Sequence, residues 1–155
     1  MANDLIIRIL DNTGNLQWYL EGEEASAASS SKETLAEAEK LWRNFDAEVR
    51  VFVPTADIYL TKSKLPVMSQ VKLLKMVPFA IEDEIATDIT ASHFAVSSVD
   101  GAGYTAIAVV NRECMDAWLK MIPAALKEHI SLLTPDVYGL PWREGILTIA
   151  DCGQQ

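Results

Sequence analysis

Residues 57–110, DIYLTKSKLPVMSQVKLLKMVPFAIEDEIATDITASHFAVSSVDGAGYTAIAVV, decide how the chain is organised. Asp57 to Leu60 reads as a short strand, and Leu65-Pro66 breaks the chain after it. Ser69 stands where a helix N-cap belongs. Behind it Val71, Leu74, Ile81 and Ile85 fall on one helical stripe. Pro78 lies inside that helix, where it removes a backbone hydrogen bond and is expected to kink it. His93 to Ser97 and Tyr104 to Val110 are then two strands around the turn Asp100-Gly101-Ala102-Gly103. The order is strand, helix, strand, strand, and it makes 55–110 a compact unit.

Working outward, Leu5 to Leu10 and Leu16 to Leu20 flank Asp11-Asn12-Thr13-Gly14-Asn15, a β-hairpin signature. Leu16, Trp18 and Leu20 share one face of the second strand, with Gln17 and Tyr19 opposite. Glu21 to Ser31 reads as a polar loop. Ser30 and Glu33 have capping-box spacing ahead of Leu35, Ala38, Leu41, Trp42 and Phe45 at helical intervals, with Glu39 and Arg43 paired on the wet face. Val49 to Val53 is a strand stopped by Pro54. Downstream, Asn111 caps a long helix whose Met115, Trp118, Leu119, Ile122 and Leu126 face a core, and Pro123 divides it. Ile130 to Leu133 is a strand, Pro135 to Leu140 a helical turn, and Ile146 to Ala150 a last strand whose hairpin partner would lie beyond Gln155.

The 155 residues, 50% apolar and 23% charged, suffice for a core without disulfides or metal. A net charge of −9 gives no broad basic field for a phosphate backbone, which argues against nucleic acid. No stretch approaches the length of a membrane-spanning helix, and MANDLIIRIL lacks the basic start of a signal peptide. The two cysteines, Cys114 and Cys152, stand in no metal-ligand spacing and read as reduced thiols, one buried and one near a loose end.

Chemistry-bearing motifs are few. Asp11-Asn12-Thr13-Gly14 invites comparison with the phosphate hairpin of actin-like ATPases, but these are also the residues of tight turns, and no second glycine-rich loop enters a helix. His93 and His129 have no ligand-type spacing, and no nucleophile elbow or Cys-His signature occurs. Glu82-Asp83-Glu84 with Asp88 do not follow a calcium-loop pattern. No catalytic residue, cofactor or metal is expected. One asymmetry stands out: Lys62, Lys64, Lys72 and Lys75 lie between Asp57 and Glu82 with no acidic residue among them. The unit is basic first and acidic after, as in a charge-patterned docking surface, with the lysines steering and Glu82, Asp83 and Glu84 setting orientation. A solvated helix face is the plainer account.

From Val53 onward the residues resemble a known family, the cytoplasmic domain of type II secretion system protein L (GspL), akin to the actin-like PilM of type IV pili. The resemblance is carried by the Leu65-Pro66 break, Val77-Pro78-Phe79-Ala80-Ile81-Glu82-Asp83-Glu84-Ile85-Ala86, His93-Phe94-Ala95, Ala108-Val109-Val110, the helix through Trp118, and Pro135-Asp136-Val137-Tyr138-Gly139-Leu140-Pro141-Trp142. It implies an α/β (α+β) fold with an actin-like, RNase H-like first lobe, 1–54 plus 111–145, holding an inserted subdomain at 55–110. Residues 146–155 would begin a truncated second lobe. It also implies a non-enzymatic scaffold on the cytoplasmic side of the bacterial inner membrane. Such a scaffold docks the N-terminal domain of the secretion ATPase, protein E, and other inner-membrane platform proteins, with a homodimer as a further partner. Membrane attachment would run through a transmembrane helix that these residues do not include. A PilM-like adaptor binding a membrane protein's short cytoplasmic tail, and an actin-like nucleotide hydrolase, are the competing readings.

Overall fold

The computed structural model describes residues 4–20, 35, 39–40, 48–141 and 143–144. The expected 21–31 loop, the Ser30/Glu33 box, Cys152 and the 146–150 strand lie outside the described residues, as does most of the first expected helix. Leu35, Glu39 and Lys40 within that helix are helical. The chain divides into two compact units, Met1–Thr55 with Ala117–Gln155, and Ala56–Asp116. The class is mixed α/β, as the sequence implied.

The first unit is built on a four-stranded sheet. β1 (Leu5–Ile9) and β2 (Leu16–Leu20) form the expected antiparallel hairpin, with Ile7 opposite Trp18. β3 (Val49–Val53) lies parallel to β1. β7 (Ile130–Pro135) lies parallel to β3, giving the order β2-β1-β3-β7. Strand pleating puts alternate residues on one face, and Leu5, Ile7, Ile9, Leu16, Trp18, Leu20, Val49, Val51 and Val53 are all buried. The opposite face carries two rows across the sheet, Tyr19-Ile6-Arg50-Leu132 and Gln17-Arg8-Phe52-Thr134.

The helix after Asn111 behaves as its sequence says. The Asn111 carboxamide accepts from the Glu113 N–H at 2.8 Å, the reach of an N-cap. Pro123 splits the run into α2 (Arg112–Met121) and α3 (Ala124–Lys127) and serves as the cap of α3. Trp118, Met121, Ile122 and Leu126 are buried, while Met115 and Leu119 are partly so. Cys114 is also only partly buried.

In the second unit β4 (Tyr59–Ser63) and β5 (Ser92–Val99) flank β6 (Thr105–Asn111), both antiparallel to it. The expected strand at 57–60 is displaced: Thr55–Asp57 is a 3₁₀ turn, and the strand runs on through the polar Thr61-Lys62-Ser63. Ladder pairing with Ile107, Ala106 and Thr105, not apolar content, holds those residues. One helix, α1 (Gln70–Ala80), follows, and it contains Pro78 two residues from its end. Ser69 is its N-cap by backbone, without a side-chain capping bond.

The buried stripe of α1 is the expected one only at its far end, where Ile81 is buried and Ile85 packs against it. Leu73, Val77 and the following Ile81 pack with Val96, Ile107 and Val109, and partly buried Ile85 packs against that cluster. Val71 and Leu74 face solvent. Two apolar rows run along this helix, and the sheet residues that can meet only one of them choose between the two. The helix also stops before the expected Ile85, because Glu82–Glu84 tighten into a 3₁₀ turn.

Candidate functional site

The Asp11 hairpin spends its polar groups on itself. Asp11 Oδ1 accepts from the Thr13 N–H and hydroxyl, both at 2.7 Å, and from the Asn15 N–H at 3.3 Å. Asp11 Oδ2 accepts from the Asn15 side-chain amide at 2.5 Å. Gly14 takes φ +113°, a backbone conformation that a side chain would strain. Hydrogen bonds from the Asn15 and Thr13 side chains hold the Asp11 carboxyl down to about 2. Both carboxylate oxygens thus close the turn, and the geometry is that of an Asx-type turn.

At the carboxyl ends of β1, β3 and β7 the first unit holds a groove of about 510 Å³ that sequence reasoning missed. Ile6 and Phe52 contribute side-chain walls, and the 3₁₀ turn Asp136–Gly139 closes one side. At Gly139 a Cβ would stand 3.0 Å from the Phe52 ring and press on it. Asp136 Oδ1 accepts from the Thr55 hydroxyl at 2.6 Å and the Thr55 N–H at 3.2 Å, and its Oδ2 accepts from the Arg8 guanidinium at 3.2 Å. The Thr55 hydroxyl in turn accepts from the Val137 N–H. Burial alone would raise the Asp136 carboxyl, but the Thr55 and Arg8 hydrogen bonds outweigh it and hold it below the ordinary carboxylate value. Among the described residues these polar groups satisfy one another, and what the groove offers is largely apolar contact.

The sequence-marked charges lie in the second unit and form three groups. Lys62 on β4 and Lys64 just past it place their ammoniums 5.1 and 5.0 Å from the centroid of the Tyr104 ring, within cation–π range. Tyr104 was not foreseen as their anchor. Beside it Asp100 accepts from the Tyr104 and Ala102 N–H groups. The Tyr104 N–H is the largest cause that lowers its carboxyl, aided by the charge of Lys62. Lys72 and Lys75 are exposed on α1. Glu82, Asp83 and Glu84 are exposed on the 3₁₀ turn that follows, and Glu84 Oε2 accepts from Tyr59 Oη at 3.3 Å and Thr61 Oγ1 at 3.4 Å. The structure thus pairs Lys62 with Lys64, sets Lys72 near Lys75, and ties Glu84 to β4.

Sequence reasoning also missed what lies between the charges. Val67, Val71, Leu74 and Phe79 are exposed on and just before α1. Val71 and Leu74 are legible as an apolar row, but the spacing assigns that row to the core and does not single out Val67 and Phe79. Among the described residues no three His, Cys, Asp or Glu side chains gather as metal ligands, and no helix is long and apolar enough to cross a membrane.

Comparison with known proteins gives this surface its setting. The model of the family described as type II secretion system (T2SS), protein L, matches residues 5–155. Type II secretion system protein L of Dickeya chrysanthemi is 30% identical over 140 residues, covering 88% of this chain and 35% of that protein. Its counterpart from Vibrio cholerae serotype O1 is 30% identical over 142 residues, covering 90% and 34%. The chain therefore spans about a third of the length of these relatives. Among solved structures, it resembles the cytoplasmic domain of EpsL, an inner membrane component of the type II secretion system of Vibrio cholerae. The TM-score is 0.68 at 27% identity, over 92% of this chain and 61% of that one. A family model that runs through both compact units, joined by a fold match of the same extent, leaves one assignment: the chain belongs to the type II secretion system protein L family.

Proposed function

We propose that this chain is a non-catalytic docking scaffold that holds the secretion ATPase, protein E, to the inner-membrane platform on its cytoplasmic side. The observation that carries the reading is the second unit's exposed helix, with Lys72 and Lys75 along it and Glu82, Asp83 and Glu84 directly after it. Opposed charge blocks on one short element orient a protein partner and speed its approach more than they add affinity. Lys62 and Lys64 form a second basic group, which Tyr104 restrains. Family membership supports the setting, and the self-satisfied polar groups of the Asp11 turn and of the groove support a role without catalysis. In this reading 1–54 with 111–145 are an actin-like first lobe, 55–110 its inserted subdomain, and 146–155 the start of a second lobe.

The test is stopped-flow association with the N-terminal domain of the cognate secretion ATPase at two salt concentrations. Each exposed charge contributes little, typically under ~1 kcal/mol, so a double reversal is used. Lys72→Glu with Lys75→Glu should slow association several-fold at low salt and less at high salt, with circular dichroism unchanged. A wild-type chain that shows no association refutes the scaffold reading, whereas a folded double variant that associates at the wild-type rate removes Lys72 and Lys75 from it.

A further inference from the structure

α1 carries an apolar row that nothing in the described chain covers. Val67 is 88% exposed, Val71 67%, Leu74 37% and Phe79 69%. Single exposed apolar side chains are ordinary, but four within thirteen residues form a patch. At about 100° per residue, Val71, Leu74 and Pro78 stack within one narrow arc. Lys75, Phe79 and Lys72 follow round the same side, away from buried Leu73 and Val77. The exposed surface is thus an apolar stripe with Lys75 set between Val71 and Phe79 and Lys72 beside them, ending at the acidic 82–84 turn.

Three occupants compete, and the charges decide among them. An anionic bilayer would welcome the lysines but meet exposed Glu82, Asp83 and Glu84 at the end of the same element. A second copy in antiparallel two-fold pairing would set Lys72 and Lys75 opposite those acids only with the axis near Pro78. Val71, Leu74 and Phe79 are centred near Lys75, about three residues or ~5 Å away along the axis, and an axis there would set Lys75 against its own copy. A distinct helix has no such conflict. We infer that this face binds an amphipathic helix of a partner protein, its apolar side on Val71, Leu74 and Phe79. Its carboxylates would meet Lys72 and Lys75, and its other end, neutral or basic, would meet Glu82 and Asp83. The inference rests on the docking reading above and names the chemistry of the docked element.

Two probes test it on the same chain. One is the ATPase N-terminal domain. The other is a hydrocarbon-stapled sixteen-residue helix with leucines on one side and glutamates flanking them at one end, and a control peptide carries lysines in place of the glutamates. Wild type should bind the glutamate peptide at least tenfold tighter than the lysine peptide, with amide shifts confined to 67–84. Val71→Asp with Leu74→Asp should weaken both the peptide and the ATPase domain at least tenfold while circular dichroism is unchanged, since both residues are exposed. Lys72→Glu with Lys75→Glu should invert the peptide preference. If the ATPase domain binds wild type and the Val71/Leu74 variant equally, docking survives and this face is refuted. If it binds neither, the scaffold reading fails and the peptide arm alone decides. Equal binding of both peptides, shifts away from α1, wild-type self-association abolished by Val71→Asp and Leu74→Asp, or anionic-vesicle binding lost in that variant would each overturn the assignment.

Discussion

Replacing Asp136 by Ala removes a junction between three chain segments, and its cost follows from the geometry. The carboxylate accepts a 2.6 Å bond from the Thr55 hydroxyl and a 3.2 Å bond from the Thr55 N–H. A hydrogen bond to a charged group contributes about 1.5–3 kcal/mol, and a half-buried N–H left without its acceptor adds about 1 kcal/mol. The Arg8 pair adds less, because its two side chains remain 31% and 18% exposed; after screening it counts for about 0.5 kcal/mol. The expected loss is about 3–4.5 kcal/mol, or roughly 6–18 °C in melting temperature for a chain of this size. Tryptophan fluorescence is the assay of choice, since Trp18 and Trp118 are both buried in the first unit. A double-mutant cycle with Thr55→Val should show coupling of at least ~1 kcal/mol.

The pH dependence has a fixed sign. The folded Asp136 carboxyl lies below its unfolded value, so its stabilisation is fully present above the unfolded value, near pH 4, and is lost as pH falls through the lower folded one. The gap between wild type and Asp136→Asn should therefore be constant from about pH 5 to 7 and narrow under stronger acid. If Asp136→Ala melts within 1 °C of wild type at pH 7, or the gap persists unchanged in acid, the junction does not hold these segments together.

Three further outcomes are expected. Leu73→Ala should cost about 2–4 kcal/mol and Val71→Ala under about 0.5 kcal/mol, read by amide hydrogen exchange across β5 and β6; equal costs would mean that α1 does not pack by the Leu73 row. The Asp11 carboxyl should titrate near 2 by carbon NMR, and a midpoint near 4 would show that the Thr13 and Asn15 bonds do not form in solution. Calorimetric titration with Mg-ATP should give no saturable binding tighter than the millimolar range, and such binding, lost in Asp11→Ala, would revive the nucleotide reading.

What could be read from the residues was whatever local chemistry fixes alone. The turn formers at 11–15, the Asn111 cap and the Pro123 break each act within a few positions, and each stands where expected. The groove network could not be read in this way, because Arg8 and Asp136 are 128 residues apart and Thr55 and Asp136 81 apart, and strand pairing alone unites them. The same holds for Tyr104: Ser63 lies opposite Thr105 in the ladder, and that register carries Lys64 to the residue one step earlier. The α1 face is a subtler case. Local periodicity proposes two apolar rows and contains nothing to rank them. Ranking came from the β5–β6 surface, which offers Val96, Ile107 and Val109 to the Leu73-Val77-Ile81 row. Charge was legible because each lysine and carboxylate faces solvent whatever row is buried. The apolar centre was not, because a docking row and a core row have the same spacing, and only the fold shows which one remains uncovered.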